Sequence, residues 1–337
     1  MRAARLHGPG DVRVADEPAP VPGAGEVLVR VTAVGLCGSD LHWFSEGNIG
    51  DATLSSPLVL GHEFAGVIQG GADDGVRVAV DPARPCGGCE ECREGNRNLC
   101  PSVVFAGHGT NDGGLRELVA WPTSLLHRVP DSLSDADAAM LEPLGVAMHA
   151  MDLAGLRLGG TVAVVGCGPI GLCAVQLARA AGATQVIAVE PLEHRRQAAA
   201  AVGADVVLDS TAEDVLGLLA RATRGRGVDV ALEVAGNDDA VRLAVMAARP
   251  GGTVVLAGIP ATESTSFPAA VARRKGLTIK MSRRMKEMYP RATAVVARGL
   301  VDVRSLVSHT LPLDRSLEAF RAADERVGLK VIVTPSA

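Results

Sequence analysis

Two groups of residues in this chain have the types and spacing of metal sites. Cys86, Cys89, Cys92 and Cys100 lie in one short run that is rich in Gly, Pro and charge and nearly lacks a hydrophobic pattern. Such a loop needs something other than a core to hold it. Four thiolates on one lobe can close a tetrahedron around Zn²⁺. A closed four-sulfur shell leaves no open coordination position, so it is structural and catalysis must be sought elsewhere. The competing readings are a pair of disulfides, which want an oxidising compartment, or four unconnected thiols.

The second group lies in Gly35-Leu-Cys37-Gly-Ser39-Asp-Leu-His42 and Gly61-His62-Glu63. Cys37 and His62 offer one sulfur and one nitrogen, and Glu63 or Glu142 can add a carboxylate. Three protein ligands and a water make the open coordination expected of a catalytic zinc. A third signal is Gly166-Cys-Gly-Pro-Ile170-Gly171, which follows a strand pattern and opens a helix pattern. Gly166 allows a tight turn, Gly168 lets the backbone approach a pyrophosphate, and Gly171 permits close helix–strand packing. Glu190, nineteen residues after Gly171, can accept hydrogen bonds from an adenosine ribose diol and favours NAD over NADP. Arg195 and Arg196 stand nearby, where a guanidinium could welcome a phosphate. Cys167 and Cys173 read as small buried hydrophobes.

The elements that must position these residues come in two textures. Residues 1–144 read as short strands with Gly/Pro turns, including Val27–Val34, Gly66–Gln69 and Val76–Val80. From Gly159 onward the strands Thr161–Val165, Val186–Val189, Asp205–Leu208, Val228–Val234, Thr253–Gly258 and Leu277–Lys280 alternate with helical runs. That alternation predicts an α/β, doubly wound parallel sheet, and Gly258 at a strand end is counted among the cofactor contacts. After residue 283 the texture is mixed again. The expected organisation is therefore a discontinuous β-rich catalytic domain, 1–144 and 283–337, around a dinucleotide domain, 145–282.

Bulk composition narrows the function classes. The chain has 337 residues, 47% hydrophobic and 2% aromatic, with a net charge of −5. It supports a sizeable core in two domains. It shows no basic stripe for nucleic acid and no apolar run of the ~18 residues a membrane span requires. The N-terminal residues lack the apolar segment of an export signal, so the expected location is the cytoplasm.

Taken together, these motifs resemble the zinc-dependent medium-chain alcohol dehydrogenases, and within them the sorbitol (polyol) dehydrogenase branch. The carriers are Cys37-Gly-Ser-Asp-Leu-His42-Trp43, Pro57-Leu-Val-Leu-Gly-His62-Glu63, the Cys86/Cys89/Cys92/Cys100 lobe, Glu142-Pro-Leu, Gly166–Gly171, and Arg284 before Tyr289-Pro290. The chain departs from the branch at Trp43 and Met285, where tyrosine is common. The resemblance implies a GroES-like catalytic domain, a Rossmann domain and two zinc ions per chain. It places the catalytic zinc on Cys37, His62 and Glu63, with Glu142 approaching the zinc or its water. It implies that Ser39 and His42 relay the substrate proton, that Trp43, Phe105, Glu142 and Arg284 meet the substrate, and that a nicotinamide cofactor takes the hydride. It further implies a small polyol substrate and a homo-oligomer, a tetramer or dimer. L-Idonate-like sugar acids and L-threonine are alternative substrates. A zinc-free quinone reductase or a non-catalytic dinucleotide sensor is the alternative of a different class.

Overall fold

A computed structural model describes residues 1–50, 52–260 and 264–336. It divides into two compact units.

The first unit comprises Met1–Glu142, Tyr289–Arg298 and Val303–Ala337. Its main sheet has the strand order Leu126–Arg128, Arg77–Val80, Glu63–Gln69, Glu26–Gly35, Lys330–Thr334, Val307–Pro312, and Leu118–Pro122 also pairs with Glu26–Gly35. All of these pairings are antiparallel except that between the last two strands of the order. Glu26–Gly35 is therefore flanked by the strand that begins with Glu63 and by the strand that begins with Lys330. Its β-branched residues suit this central position, and Val29, Val31 and Val34 are fully buried. They join Phe64, Val78, Val80, Trp43 and Phe320 in one core.

Helix Gly38–Glu46 starts where this central strand ends. Cys37 is its N-cap, and the Asp40 side chain folds back to accept the Cys37 N–H, a capping-box arrangement. Gly47, in the left-handed conformation at φ 72°, ends the helix.

The second unit comprises Pro143–Met288 and Gly299–Asp302. Its six strands form a parallel sheet in the order Val206–Leu208, Gln185–Val189, Thr161–Val165, Val228–Glu233, Ala248–Leu256, Thr278–Met281. In chain order this is 3-2-1-4-5-6, the doubly wound dinucleotide topology, with its switch point between the first and fourth strands. The first strand has the bounds read from the sequence. The fifth begins earlier, at Ala248, and ends at Leu256, which leaves Gly258 in the following turn.

The boundaries depart from 144 and 283. Residues 283–288 stay with the second unit, where Met285 and Met288 lie against Gly145. A Cβ on Gly145 would come 2.3 Å from Met285 Sδ, so a larger residue there would have to displace the methionine side chain. The return to the first unit begins at Tyr289, whose hydroxyl donates to Val80 O at 2.7 Å and whose ring stacks on His127 at 4.5 Å. Gly299–Asp302 rejoins the second unit through Gln176, which donates to Asp302 O and accepts the Asp302 N–H.

Candidate active site and metal centres

Cys37, His62 and Glu63 converge because the antiparallel register places Glu63 opposite Gly35, two residues before Cys37. One ligand atom from each lies within 4.8 Å of the other two. His62 and Glu63 are buried and Cys37 is half-buried.

The loop carrying His62 is clamped from below. Gly113 and Gly114 donate their N–H groups to Val59 O and Gly61 O, both at 2.7 Å. A Cβ on Gly113 would meet Gly61 O at 2.3 Å.

Asp40 is the buried residue that the sequence reading missed. It accepts the N–H of Cys37 at 2.9 Å and of Gly61 at 3.2 Å, and it lies 3.5 Å from His62 Nδ1. A carboxylate behind Nδ1 leaves Nε2 as the ligand atom, the usual support of a metal-bound imidazole. Burial works against the ionised Asp40, but His62 and the two backbone donors hold its pKa below the ordinary value. Burial alone would lower the His62 pKa; the charges of Asp40 and Cys37 raise it well above its usual value. The same negative field attracts a metal cation.

Glu63 supplies the observation that tests the fit of a metal. Its Oε2 pairs with the Lys330 ammonium. Its Oε1 is buried and takes no hydrogen bond from the described residues. A buried carboxylate oxygen without a donor is costly, and a cation held with Cys37 and His62 would satisfy it. A sulfur, a nitrogen and a carboxylate oxygen form a borderline-soft donor set that suits zinc.

Glu142 lies outside this trio. It is buried, and that burial pushes its carboxyl up to about 7 against the pull of His62. Ser39 and His42 are half-buried on helix Gly38–Glu46, three residues apart and so on one face. His42 Nδ1 is 3.1 Å from Glu46 Oε1. The Phe105 ring stands 5.3 Å from the His62 ring, beside the trio. Trp43 is only 1% exposed, edge-on to His108 within the core, so its indole is a packing group.

Cys86, Cys89, Cys92 and Cys100 bring their sulfurs within 4.8 Å of one another, and all four are free thiols. No disulfide is present among the described residues, and the convergence of all four sulfurs on one point favours a shared ion over two separate pairs. A tetrahedron with Zn–S of about 2.3 Å has S···S edges of roughly 3.8 Å, so the cluster is of the right size. The N–H groups of Gly88 and Cys89 lower the Cys86 thiol to about 6. Burial and the neighbouring Cys89 push the Cys92 thiol up to about 12, so the four crowded thiols do not all ionise without a cation among them.

In the second unit, Gly166 has φ 98° and its N–H donates to Val189 O. A Cβ on Gly171 would lie 2.0 Å from Gly166 O. Gly168 is different: it caps helix Pro169–Ala180, and a Cβ there would meet only Arg195 Nη1, at 3.8 Å. Ile170 is half-buried in the first turn of that helix. Glu190 is buried at the end of the second strand, where it accepts the N–H of Cys167 at 2.6 Å and of Leu192 at 3.2 Å. Arg196 is turned to Glu190 O, Pro191 O and Asp209. Gly258 approaches backbone to backbone, since a Cβ would lie 2.2 Å from Gly236 N. Glu233, also missed in the sequence, accepts the N–H of Ala235 and of Gly236 at the end of the fourth strand. Arg284 is half-buried at φ 52°, while Arg283 is exposed.

The alcohol dehydrogenase GroES-like domain family matches residues 23–131, and the zinc-binding dehydrogenase family matches residues 169–298. The sorbitol dehydrogenase of Bos taurus is 37% identical over 97% of this chain and 94% of its own length. That of Bacillus subtilis is 36% identical over 100% and 98%. The chain belongs to the zinc-dependent medium-chain alcohol dehydrogenases, in their sorbitol dehydrogenase branch. This dehydrogenase is also similar to the crystal structure of L-idonate 5-dehydrogenase from Escherichia coli, with a TM-score of 0.91, 29% identity and coverage of 99% and 97% of the two chains. It is an oxidoreductase of alcohols that uses zinc and a nicotinamide cofactor. No helix among the described residues is long and apolar enough to cross a membrane.

Proposed function

We propose that this dehydrogenase oxidises a secondary hydroxyl of a sorbitol- or xylitol-like polyol to a ketone, with NAD as hydride acceptor and two zinc ions per chain. The observation that carries the reading is the Cys37–His62–Glu63 trio, two of its members buried and Cys37 half-buried, with Asp40 behind the imidazole. Cys37, His62 and Glu63 hold the catalytic ion, and the four-cysteine lobe holds the structural one. Bound zinc supplies a Lewis acid that lowers the pKa of a substrate hydroxyl toward neutrality. Ser39 accepts the hydroxyl proton while giving up its own toward His42, one turn further along the same helix face, which passes a proton to water. A bound nicotinamide would supply the two-electron acceptor for the hydride of the substrate carbon, which balances the oxidation.

Gly168 and the N-terminus of helix Pro169–Ala180 receive the pyrophosphate. The buried Glu190 carboxylate supports NAD, because a 2′-phosphate there would meet like charge. The engagement of Arg196 by Glu190 O, Pro191 O and Asp209 supports the same choice.

A sugar acid is the second reading. It is supported by the likeness to the L-idonate 5-dehydrogenase of Escherichia coli, whose substrate carries a carboxylate that an arginine would pair with. Reduced-cofactor formation on xylitol, sorbitol, L-idonate and L-threonine, each with NAD and NADP, tests the proposal. Turnover of a polyol with NAD is expected. Inert polyols with turnover of L-threonine alone would refute it.

A further inference from the structure

Lys330 is a buried charge that the chemistry above does not use. It is the first residue of the last strand, and its side chain is 2% exposed. Among the described residues its ammonium makes two polar contacts, one with a member of the metal trio and one with the backbone beside another. One is the ion pair with Glu63 Oε2. The other is a hydrogen bond of 2.9 Å donated to the carbonyl of Leu36, the residue before Cys37. Leu36 is tied to the same strand a second time, since its N–H donates to Val331 O at 3.0 Å.

The path of this side chain explains a glycine. The strand carrying Glu63 and the strand carrying Lys330 are not neighbours; Glu26–Gly35 runs between them. Gly35 is the register partner of Glu63 on one side and of Ile332 on the other. A Cβ at Gly35 would lie 2.2 Å from Glu63 Oε2 and 2.9 Å from Lys330 Cε. Gly35 has no positive φ that would call for glycine. The missing side chain is therefore a requirement of space: the ion pair crosses the central strand through the gap at Gly35.

We propose that Lys330 is a positioning residue of the catalytic metal site and that Gly35 is the gap that lets it act. By holding Oε2, Lys330 leaves Oε1 as the Glu63 atom free to bind a metal. By holding Leu36 O, it fixes the backbone entering Cys37. Two of the three ligands thus depend on one ammonium brought in from the last strand of the fold. The inference rests on the reading of Cys37, His62 and Glu63 as zinc ligands.

Its test is zinc content across a chelator titration, with the visible spectrum of the cobalt-substituted protein as a second readout, for wild type, K330M, K330R and G35A. K330M keeps the aliphatic stem without the charge, and G35A keeps both charges but blocks their path. Wild type should hold two ions. K330M and G35A should release one of them at about 10–100-fold lower chelator, the size expected when support of a metal ligand is lost, with a changed cobalt spectrum and the four-cysteine ion retained. K330R, which keeps the charge, should stay closer to wild type, and it carries the test if K330M does not fold. Removing a neighbouring cation would by itself tighten metal binding, so unchanged or tighter binding in K330M and G35A overturns the proposal. A wild type holding only the four-cysteine ion would instead defeat the zinc reading of the trio itself.

Discussion

Asp40 receives the N–H of Cys37 and of Gly61 and lies against His62 Nδ1, so one carboxylate fixes the backbone of two loops and the ring of a ligand. Replacing it by alanine should lower metal affinity and kcat/KM by about 10–100-fold. Zinc analysis alongside steady-state kinetics checks this, and equal zinc retention with normal kcat/KM would show that His62 needs no such support. The glycines of the cofactor turn separate in the same residue-level way. Gly171 has no room for a Cβ, whereas Gly168 has open space on its own chain. Gly171→Ala should therefore cost roughly 3 kcal/mol of stability, the upper part of the ordinary mutational range. Gly168→Ala should fold with an unchanged Tm yet bind NAD more weakly. Thermal unfolding and cofactor titration of the pair distinguish the two roles. Cys37, His62 and the four-cysteine lobe were legible in the sequence because their residue types announce metal chemistry. Asp40 and Lys330 were not, since a carboxylate or an ammonium becomes informative only once it is known to be buried. Gly35 was the available signal: a glycine that closes a β-branched strand marks a place where another group approaches closely.

At the scale of elements, the six parallel strands were readable because each is a short apolar run bounded by turn residues. Thr161–Val165 is framed by Gly159, Gly160 and Gly166, so its bounds were fixed locally. Ala248–Leu256 was read too short, because Pro250, Gly251 and Gly252 suggest a turn, yet the chain pairs with Val228–Glu233 across them. The end of the sheet opposite the cofactor turn is fastened by Asp229. It accepts the Thr161 N–H and hydroxyl at 2.9 and 3.0 Å, and it also accepts from Arg226 and Arg249. The hydrogen bonds from Arg226 are the largest cause that holds its pKa below the usual carboxylate value, against some desolvation. A depressed folded-state pKa contributes stability that is present above the unfolded value of about 3.9 and is lost as pH falls through the folded one. Asp229→Asn should thus destabilise the protein by about 1–3 kcal/mol at neutral pH. The gap to wild type should narrow below about pH 4. Urea unfolding at pH 7 and at acid pH measures both numbers, and a gap independent of pH would show that the ionised carboxylate is not the source.

For the whole molecule, the four-cysteine lobe and the Cys37–His62–Glu63 trio make separate claims. The lobe is built almost entirely from turns and short helices, from Pro85 to Pro101, with little apolar burial beyond Cys100. Its order should depend on its ion. Cys92→Ser should lower the Tm and the zinc content while the folded fraction keeps its KM and kcat, as thermal melts and kinetics on the same sample would show. The trio should behave in the opposite way. The most direct measurement is therefore zinc per chain of Cys37→Ala together with NADH formation on xylitol and sorbitol. The account predicts that wild type holds two ions and oxidises a polyol, and that Cys37→Ala holds one ion, keeps its fold and forms no NADH. A Cys37→Ala protein that retains both ions, or that forms NADH at the wild-type rate, would contradict it.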